Sequence, residues 1–289
     1  MLEIIIVIWN YIVEPWHYEF MRHAFVIGIL VGILCPVVGS YLIVQRMAWF
    51  GDVIAHCVLP GLSLSFFLGV DILIGAFISG ILGAGAISLI RSQARVKVDS
   101  AMALTFSSFF AAGVLLISLL RNNVDLDGFL FGDILGVTMT DIYRTGTISI
   151  AILAVVWLSY KELLFYTFDR TGAMATGLPI KIIHLGFMSA VTLTIIASMQ
   201  VVGVILVISM LVGPALTAYL LVKELHQMMI VGAMIGAIAS VSGMYISFYV
   251  KHVPSGPAIV LVSSLLFVLA LLLSPSQGIL TRRSWWDIY

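Results

Sequence analysis

The sequence predicts an all-α, polytopic membrane protein with about eight or nine transmembrane helices. Hydrophobic residues make up 62% of the 289 residues and charged residues only 10%, whereas soluble globular chains average about 45–50% apolar and about 25% charged residues. The apolar residues also stand in unbroken runs of about 20, the length that crosses the hydrocarbon core of a bilayer. So few charges cannot cover a water-facing surface, which excludes a soluble enzyme, a disordered chain and a nucleic-acid-binding protein with a basic face.

Hydropathy places nine spans along the chain. Two of them follow their predecessors almost without a loop, and the count would fall to eight if either were re-entrant. Pairs of glycines four residues apart, in the first and eighth spans, are typical of helices that pack closely in lipid. We find no internal repeat and no separate soluble domain, so residues 1–289 are predicted to form a single transmembrane domain. The predicted spans are 23–45, 51–70, 72–91, 100–120, 142–161, 181–199, 201–222, 228–250 and 257–274.

Residues 1–20 differ from the rest of the chain. Their apolar stretch is interrupted by charged and polar residues, is too short to span, and lacks the basic start and small-residue cleavage site of a signal peptide. We therefore expect an interfacial helix with Trp9, Tyr11 and Trp16 at the level of the lipid headgroups.

The basic residues indicate the orientation. If the N-terminus lies outside the cell, ten basic residues fall on the cytoplasmic side and four on the outer side, in agreement with the positive-inside rule. The cytoplasmic set is Arg46, Arg91, Arg95, Lys97, Lys161, Arg170, Lys181, Lys223, Arg282 and Arg283; the outer set is Arg22, Arg121, Arg144 and Lys251.

An acidic outer loop follows the fourth span. It contains Asp125, Asp127, Asp133 and Asp141. The loop is either an ordinary solvated connection or a weakly acidic vestibule that concentrates cations or docks a delivery protein.

The most informative segment is residues 51–61, GDVIAHCVLPG. Asp52 and His56 are four residues apart and therefore lie on one face of a helix. An ionisable residue inside a span costs at least about 2.5–3.5 kcal/mol, so two on one face indicate a polar cavity, a partner or a shared ligand. A carboxylate and an imidazole are ligands for a divalent metal, although a structural Asp–His pair in a kinked helix gives the same pattern.

Pro60 and Gly61 predict a helix break that either is buried in protein or lines a water-filled path. Pro60 cannot donate the hydrogen bond that the carbonyl of His56 would accept, and its ring crowds that carbonyl. A broken backbone at membrane depth is tolerated only inside protein or beside a water-filled path, and transporters bind ions at such breaks.

The longest cytoplasmic connection is residues 162–180. Its leading Asp169, its small residues Ala173, Ala175 and Gly177, and the proline that follows are typical of a short capped helix. Such a helix is either a plain linker or a compact knob on which another subunit docks.

Other reactive residues carry no enzymatic motif. The chain has no G-x-x-x-x-G-K-S/T element for nucleotide binding and no H-E-x-x-H metalloprotease motif, and Cys35 and Cys57 are not in a C-x-x-C spacing. We expect the four histidines near span ends to be interfacial and the methionines of the later spans to be packing residues. These are His23, His184, His226 and His252, and Met199, Met210, Met228 and Met229.

Four stretches together resemble the permeases of ATP-binding-cassette importers for manganese, zinc or iron(II). Residues 51–61 are similar to the second-helix motif on the path of the metal, and residues 130–136, LFGDILG, are similar to the outer-loop signature. Residues 168–178, FDRTGAMATGL, resemble the cytoplasmic segment, and residues 254–260, PSGPAIV, the start of the last helix. The four stretches occur in the right order along nearly the whole chain; Cys57 departs from the pattern, where a small residue such as alanine is more usual.

This resemblance implies a type II-importer-like permease in the cell membrane, with a cytoplasmic C-terminus and no catalytic site of its own. Asp52 and His56 would contact the transported ion, and Asp169, Ala173, Ala175 and Gly177 would couple the chain to its ATPase. Residues 162–180 are therefore the predicted coupling segment. The implied partners are a second permease copy, two ATPase subunits and a soluble metal-binding protein on the outer face. No resident cofactor is implied; the cargo is a divalent ion, with manganese favoured and zinc or iron(II) as alternatives. An ion-coupled secondary metal transporter is the remaining alternative.

Overall fold

The computed structural model describes residues 13–94, 96–120, 132 and 134–274, and within this part all regular secondary structure is helical. Twelve α-helices are accompanied by two 3₁₀ turns, Glu14–His17 and Ile134–Gly136. We number the helices in chain order: α1 Glu19–Val44, α2 Phe50–Cys57, α3 Leu59–Leu68, α4 Ile72–Gln93, α5 Val98–Leu119, α6 Met139–Leu158, α7 Tyr160–Phe168, α8 Arg170–Ala175, α9 Ile180–Val202, α10 Val204–Leu221, α11 Leu225–Tyr249 and α12 Ser255–Leu273.

Nine stretches of the described residues are long and apolar enough to cross a membrane, and they match the nine predicted spans one for one. Helices α2 and α3 together make the second of these stretches, Phe50–Leu68. Both stretches that follow their predecessors closely, Ile72–Gln93 and Val204–Leu221, have spanning length. The all-α, multi-span prediction is therefore confirmed. Several residues named above lie outside the described part: Trp9, Tyr11, Arg95, Arg121, Asp125, Asp127, Leu130, Phe131, Asp133, Arg282 and Arg283.

The described end of the N-terminal segment, from residue 13 on, contacts the bundle. Helix α1 begins at Glu19, four residues before the predicted span. The Trp16 ring stacks on Phe25, with ring centroids 5.0 Å apart, and its Nε1 donates a hydrogen bond to the Tyr245 hydroxyl at 2.9 Å. Trp16 is thus held by two spans while 46% of it remains exposed.

The centre of the bundle is α1, which packs against α6, α10 and α11. Its contact with α11 brings the two backbones together, because a Cβ added to Gly236 would lie 2.1 Å from the carbonyl oxygen of Gly32. The predicted glycine pairs, Gly28 with Gly32 and Gly232 with Gly236, both lie in this contact. Small residues allow helices to approach this closely in lipid.

The buried methionines behave as the sequence predicts. Met199, Met210 and Met228 are each at most 2% exposed and belong to the apolar core. Each fills space between helices, as a flexible thioether side chain does well.

Candidate metal-transport site

A tight reversal at the end of α1 sets the position of the candidate metal motif. The Met47 amide donates to the Leu42 carbonyl at 2.8 Å and the Arg46 amide to the Ile43 carbonyl at 3.0 Å, the bonding pattern of a Schellman cap. Arg46 adopts φ +58° at the position where glycine is usual. The reversal starts α2 at Phe50 and places Asp52 in its first turn.

The structure brings Asp52 and His56 together on one face of α2, as predicted. The His56 ring nitrogen Nδ1 lies 2.9 Å from the Asp52 backbone carbonyl and 3.5 Å from the carboxylate oxygen Oδ1. The side chains of His56 and Asp52 are 18% and 28% exposed. A backbone carbonyl bonded to one ring nitrogen is the usual support of a metal-binding histidine, because it fixes the ring and leaves the lone pair on the other nitrogen.

Two phenylalanines of α5 hold the other side of the His56 ring. The ring centroids of Phe106 and Phe110 lie 4.8 and 5.5 Å from that of His56, both at an interplanar angle of 64°. The two phenyl rings are parallel to each other, at an angle of 1°. Sequence reasoning missed them: their spacing of four residues shows that they share one face of a span, but not that this face meets His56.

Asp52 lies on a ridge between two clefts. One, of about 480 Å³, has walls from α10 and α12; the other, of about 350 Å³, has a wall from α5 that includes Asp99 and Phe106. Trp49 lines both clefts and is 72% exposed. The Asp52 side chain, 28% exposed, therefore borders both clefts.

The predicted helix break corresponds to a one-residue interruption at Val58, two residues before Pro60, where the backbone keeps helical dihedral angles (φ −73°, ψ −26°). Helix α2 ends at Cys57 and α3 begins at Leu59, with Pro60 in the first turn of α3. The argument from sequence concerned the carbonyl of His56; the structure shows in addition that the next carbonyl, that of Cys57, accepts a hydrogen bond from Ser79 Oγ of α4 at 2.6 Å. A hydroxyl from a neighbouring helix thus satisfies backbone at the break.

Gly61 has a packing role that the sequence did not reveal. A Cβ at this position would lie 2.0 Å from the Gly75 carbonyl oxygen and 2.5 Å from the Ser79 Cβ. The backbone of α3 therefore rests directly on α4. The path-lining role of Pro60 and Gly61 stays a prediction.

Cys57 faces away from the pair. It is buried and packs against Gly83 of α4, where a Cβ would lie 2.7 Å from the sulfur. In the part of the chain that the structure describes, no group of three or more His, Cys, Asp or Glu side chains is arranged to hold a metal ion. Among the described residues, the pair brought together here is one carboxylate, Asp52, and one imidazole, His56, and their role as metal ligands stays a prediction.

The coupling segment contains a short capped helix, α8. The Asp169 carboxylate caps it by accepting a hydrogen bond from the Gly172 amide at 2.8 Å. At the other end Gly177 adopts φ +81°, and the Leu178 amide donates to the Ala173 carbonyl at 3.2 Å. The Asp and Gly therefore act as the two caps, as the sequence indicated.

Ala173 lies inside the chain. It is 0% exposed, and its predicted role in coupling stays a prediction. Ala175 and Gly177 are exposed, and so is Met174, at 57%.

Comparison with known proteins identifies the family. The sequence profile of the ABC 3 transport family matches residues 17–274, nearly the whole chain. The chain belongs to this family. The resemblance that residues 51–61, 130–136, 168–178 and 254–260 suggested is thereby confirmed.

Individual relatives of this ABC 3 family chain match over almost their full length. The manganese transport system membrane protein MntC of Halalkalibacterium halodurans is 43% identical over 266 residues, 92% of this chain and 91% of the relative. The chelated iron transport system membrane protein YfeD of Yersinia pestis is 39% identical over 276 residues, 96% and 93% of the two chains. The solved structure of PsaBC from Streptococcus pneumoniae in complex with Fab contains a chain that is 38% identical, with a TM-score of 0.83, covering 93% of this chain and 97% of that one.

Proposed function

We propose that this chain is the permease subunit of an ATP-driven importer of divalent metal ions, with manganese as the main cargo. The observation that carries the proposal is the Asp52–His56 pair, which is half-buried on α2 beside a helix break and open to the surface of the chain. An ionisable pair inside a span is expensive, and these side chains supply oxygen and nitrogen donors that suit manganese, iron(II) or zinc.

The second permease copy completes the path in this proposal. Manganese prefers about six ligands, mostly oxygen, and one chain supplies two. Because Asp52 lies on a ridge between open clefts, a second copy and water can provide the rest. An incomplete site suits transport, since the ion must also leave it.

The ATPase subunits dock on the cytoplasmic coupling segment. The exposed residues of α8 and its C-terminal cap, which include Met174, Ala175 and Gly177, form the contact, while Asp169 and Ala173 hold the helix in place. A soluble metal-binding protein delivers the ion to the outer face. The distribution of basic residues supports an N-terminus outside the cell and a C-terminus in the cytoplasm.

The test compares metal uptake by cells with the Asp52→Asn and His56→Gln variants. Asp52→Asn keeps the shape of the side chain and removes its charge, and His56→Gln replaces the imidazole by an uncharged amide that lacks the ring nitrogen lone pair. We therefore expect each to abolish uptake of radioactive manganese while membrane insertion and ATPase binding persist. The matched controls are Glu224→Gln and His226→Gln, a carboxylate–imidazole pair 3.3 Å apart on the exposed end of α11. If Asp52→Asn or His56→Gln took up manganese at the wild-type rate, the pair would have a structural role and would not bind the transported ion.

Competition and energy source resolve the alternatives. An excess of iron(II) or zinc that displaces manganese more effectively than unlabelled manganese would reassign the cargo; iron is the more pertinent competitor, since a relative is named for chelated iron transport. Uptake that collapses with the proton or sodium gradient, but not with ATP depletion, would indicate a secondary transporter.

A further inference from the structure

A hydrogen-bonded cluster connects the coupling segment to two spans at the cytoplasmic side. The Tyr166 hydroxyl of α7 and His184 Nδ1 of α9 are 2.5 Å apart, and His184 Nε2 lies 3.1 Å from Ser88 Oγ of α4. The sequence predicted an ordinary interfacial residue at His184. Instead, both of its ring nitrogens are engaged, and the ring joins α7 to α4.

Tyr166 is also tied to the helix that docks the ATPase. The Arg170 guanidinium, in the first turn of α8, lies 5.3 Å from the centroid of the Tyr166 ring, a cation–π contact. Burial raises the pKa of the Tyr166 hydroxyl, and the charges of Arg170 and Arg91 oppose that shift. The hydroxyl therefore keeps its proton and bonds the imidazole whichever ring nitrogen carries hydrogen.

Helix α4 makes a second polar contact, at the candidate metal site. Ser79 Oγ donates to the Cys57 carbonyl at the helix break, at 2.6 Å, and Cys57 directly follows His56. Ser79 and Ser88 are nine residues apart on the same helix, or about 13.5 Å along its axis. One helix thus reaches from the coupling segment to the residue beside the metal ligand.

Between these two contacts, α4 is closely packed against its neighbouring helices. Added Cβ atoms would lie 2.7 Å from Cys57 at Gly83 and 2.6 Å from Thr192 at Gly80. Where helices touch through glycine, no long side chain can absorb a displacement, so the helices move together or exchange one packed arrangement for another.

We propose that α4 is the transmission element of this permease, held at its cytoplasmic end by the Tyr166–His184–Ser88 cluster and acting on the helix break beside His56 through Ser79. The inference rests on the proposed function. Tyr166, His184, Ser88 and Ser79 are positioning residues in this scheme: they carry movement of α8 to the ligand helix α2 and do not contact the ion.

The experiment measures metal ions imported per ATP hydrolysed by the assembled transporter in proteoliposomes. Tyr166→Phe and Ser79→Ala each remove one hydroxyl from opposite ends of the connection, and Ser88→Ala removes one from the middle. Because one hydrogen bond changes an equilibrium by about two- to tenfold, we expect a drop of that size in ions per ATP, with ATPase binding and melting temperature kept. The controls are Ser92→Ala, an exposed serine one turn further along α4 that bonds its own helix, and Tyr143→Phe, a tyrosine that is 72% exposed.

The double variant Tyr166→Phe/Ser79→Ala distinguishes transmission from separate local damage. Effects of sites more than about 7–10 Å apart normally add. If the Tyr166 and Ser79 hydroxyls both act through α4, the double variant should import as many ions per ATP as the poorer of the two single variants. Additive losses, or single variants with the wild-type ratio, would overturn the inference, whereas a wild-type transporter without ATP-driven uptake would overturn the proposed function itself.

Discussion

Replacing Gly61 by alanine tests the contact that holds the broken helix against α4. The new Cβ would lie 2.0 Å from the Gly75 carbonyl oxygen, and since non-bonded heavy atoms rest at about 3.5–4.0 Å, α3 and α4 must separate by about 1.5 Å. The Gly75 carbonyl belongs to helix backbone and cannot rotate away. The separation would also pull Ser79 from the Cys57 carbonyl, which it now reaches at 2.6 Å.

The expected cost follows from overpacking. Extra methylenes in a well-packed interior cost about 1–3 kcal/mol, which corresponds to a fall of about 2–12 °C in melting temperature at about 2–4 °C per kcal/mol. The matched control is Gly85→Ala, also on α4, where an added Cβ meets no other group within 4 Å; it should be neutral or slightly stabilising. Thermal melting of the detergent-solubilised proteins provides the comparison. If Gly61→Ala melts with the wild type, the two helices are not in backbone contact and the reasoning fails.

Three further predictions concern other parts of the chain. Asp71 caps α4 and accepts a hydrogen bond from Arg144 Nη2 at 2.7 Å, and this bond is the main cause of its lowered pKa. The bond should therefore stabilise the protein at pH values above 3.8, the ordinary pKa of the carboxyl group. This stabilisation should be lost as the pH falls below that value. The melting temperatures of wild type and Asp71→Asn, measured in parallel, should accordingly differ at neutral pH and converge below about pH 4; a constant difference would contradict this. Titration of the isolated permease with manganese should reveal only weak binding, and a stoichiometric submicromolar site would contradict passage through an incomplete site. Ala175→Trp, on the exposed side of α8, should reduce co-purification of the ATPase and leave the melting temperature unchanged. Ala173→Leu, at a buried position, should instead lower the melting temperature. The reverse pattern would show that the helix docks with its other face.

Local chemistry explains what could be predicted from the sequence. Span lengths and number follow from runs of apolar residues, because every backbone polar group in lipid must be bonded within its own helix. The pairing of Asp52 with His56 follows from the helical repeat, the break from the missing amide hydrogen of Pro60, and the ends of α8 from Asp169 and Gly177. Each of these depends on residues within a few positions of one another.

Contacts between residues far apart in the chain were decided only by the tertiary structure. Nothing near His56 in sequence indicates that Phe106 and Phe110 hold its ring, and nothing near Gly61 indicates that it rests on Gly75. The inward direction of Ala173 and the bonds of His184 to Tyr166 and Ser88 depend on which helices are neighbours, since a side chain on a short or partly exposed helix can face either the bundle or the solvent at little local cost. The physical reason is that hydropathy specifies how deep a residue lies along the membrane normal, whereas its partners depend on the rotation and packing order of helices, which only the whole bundle determines.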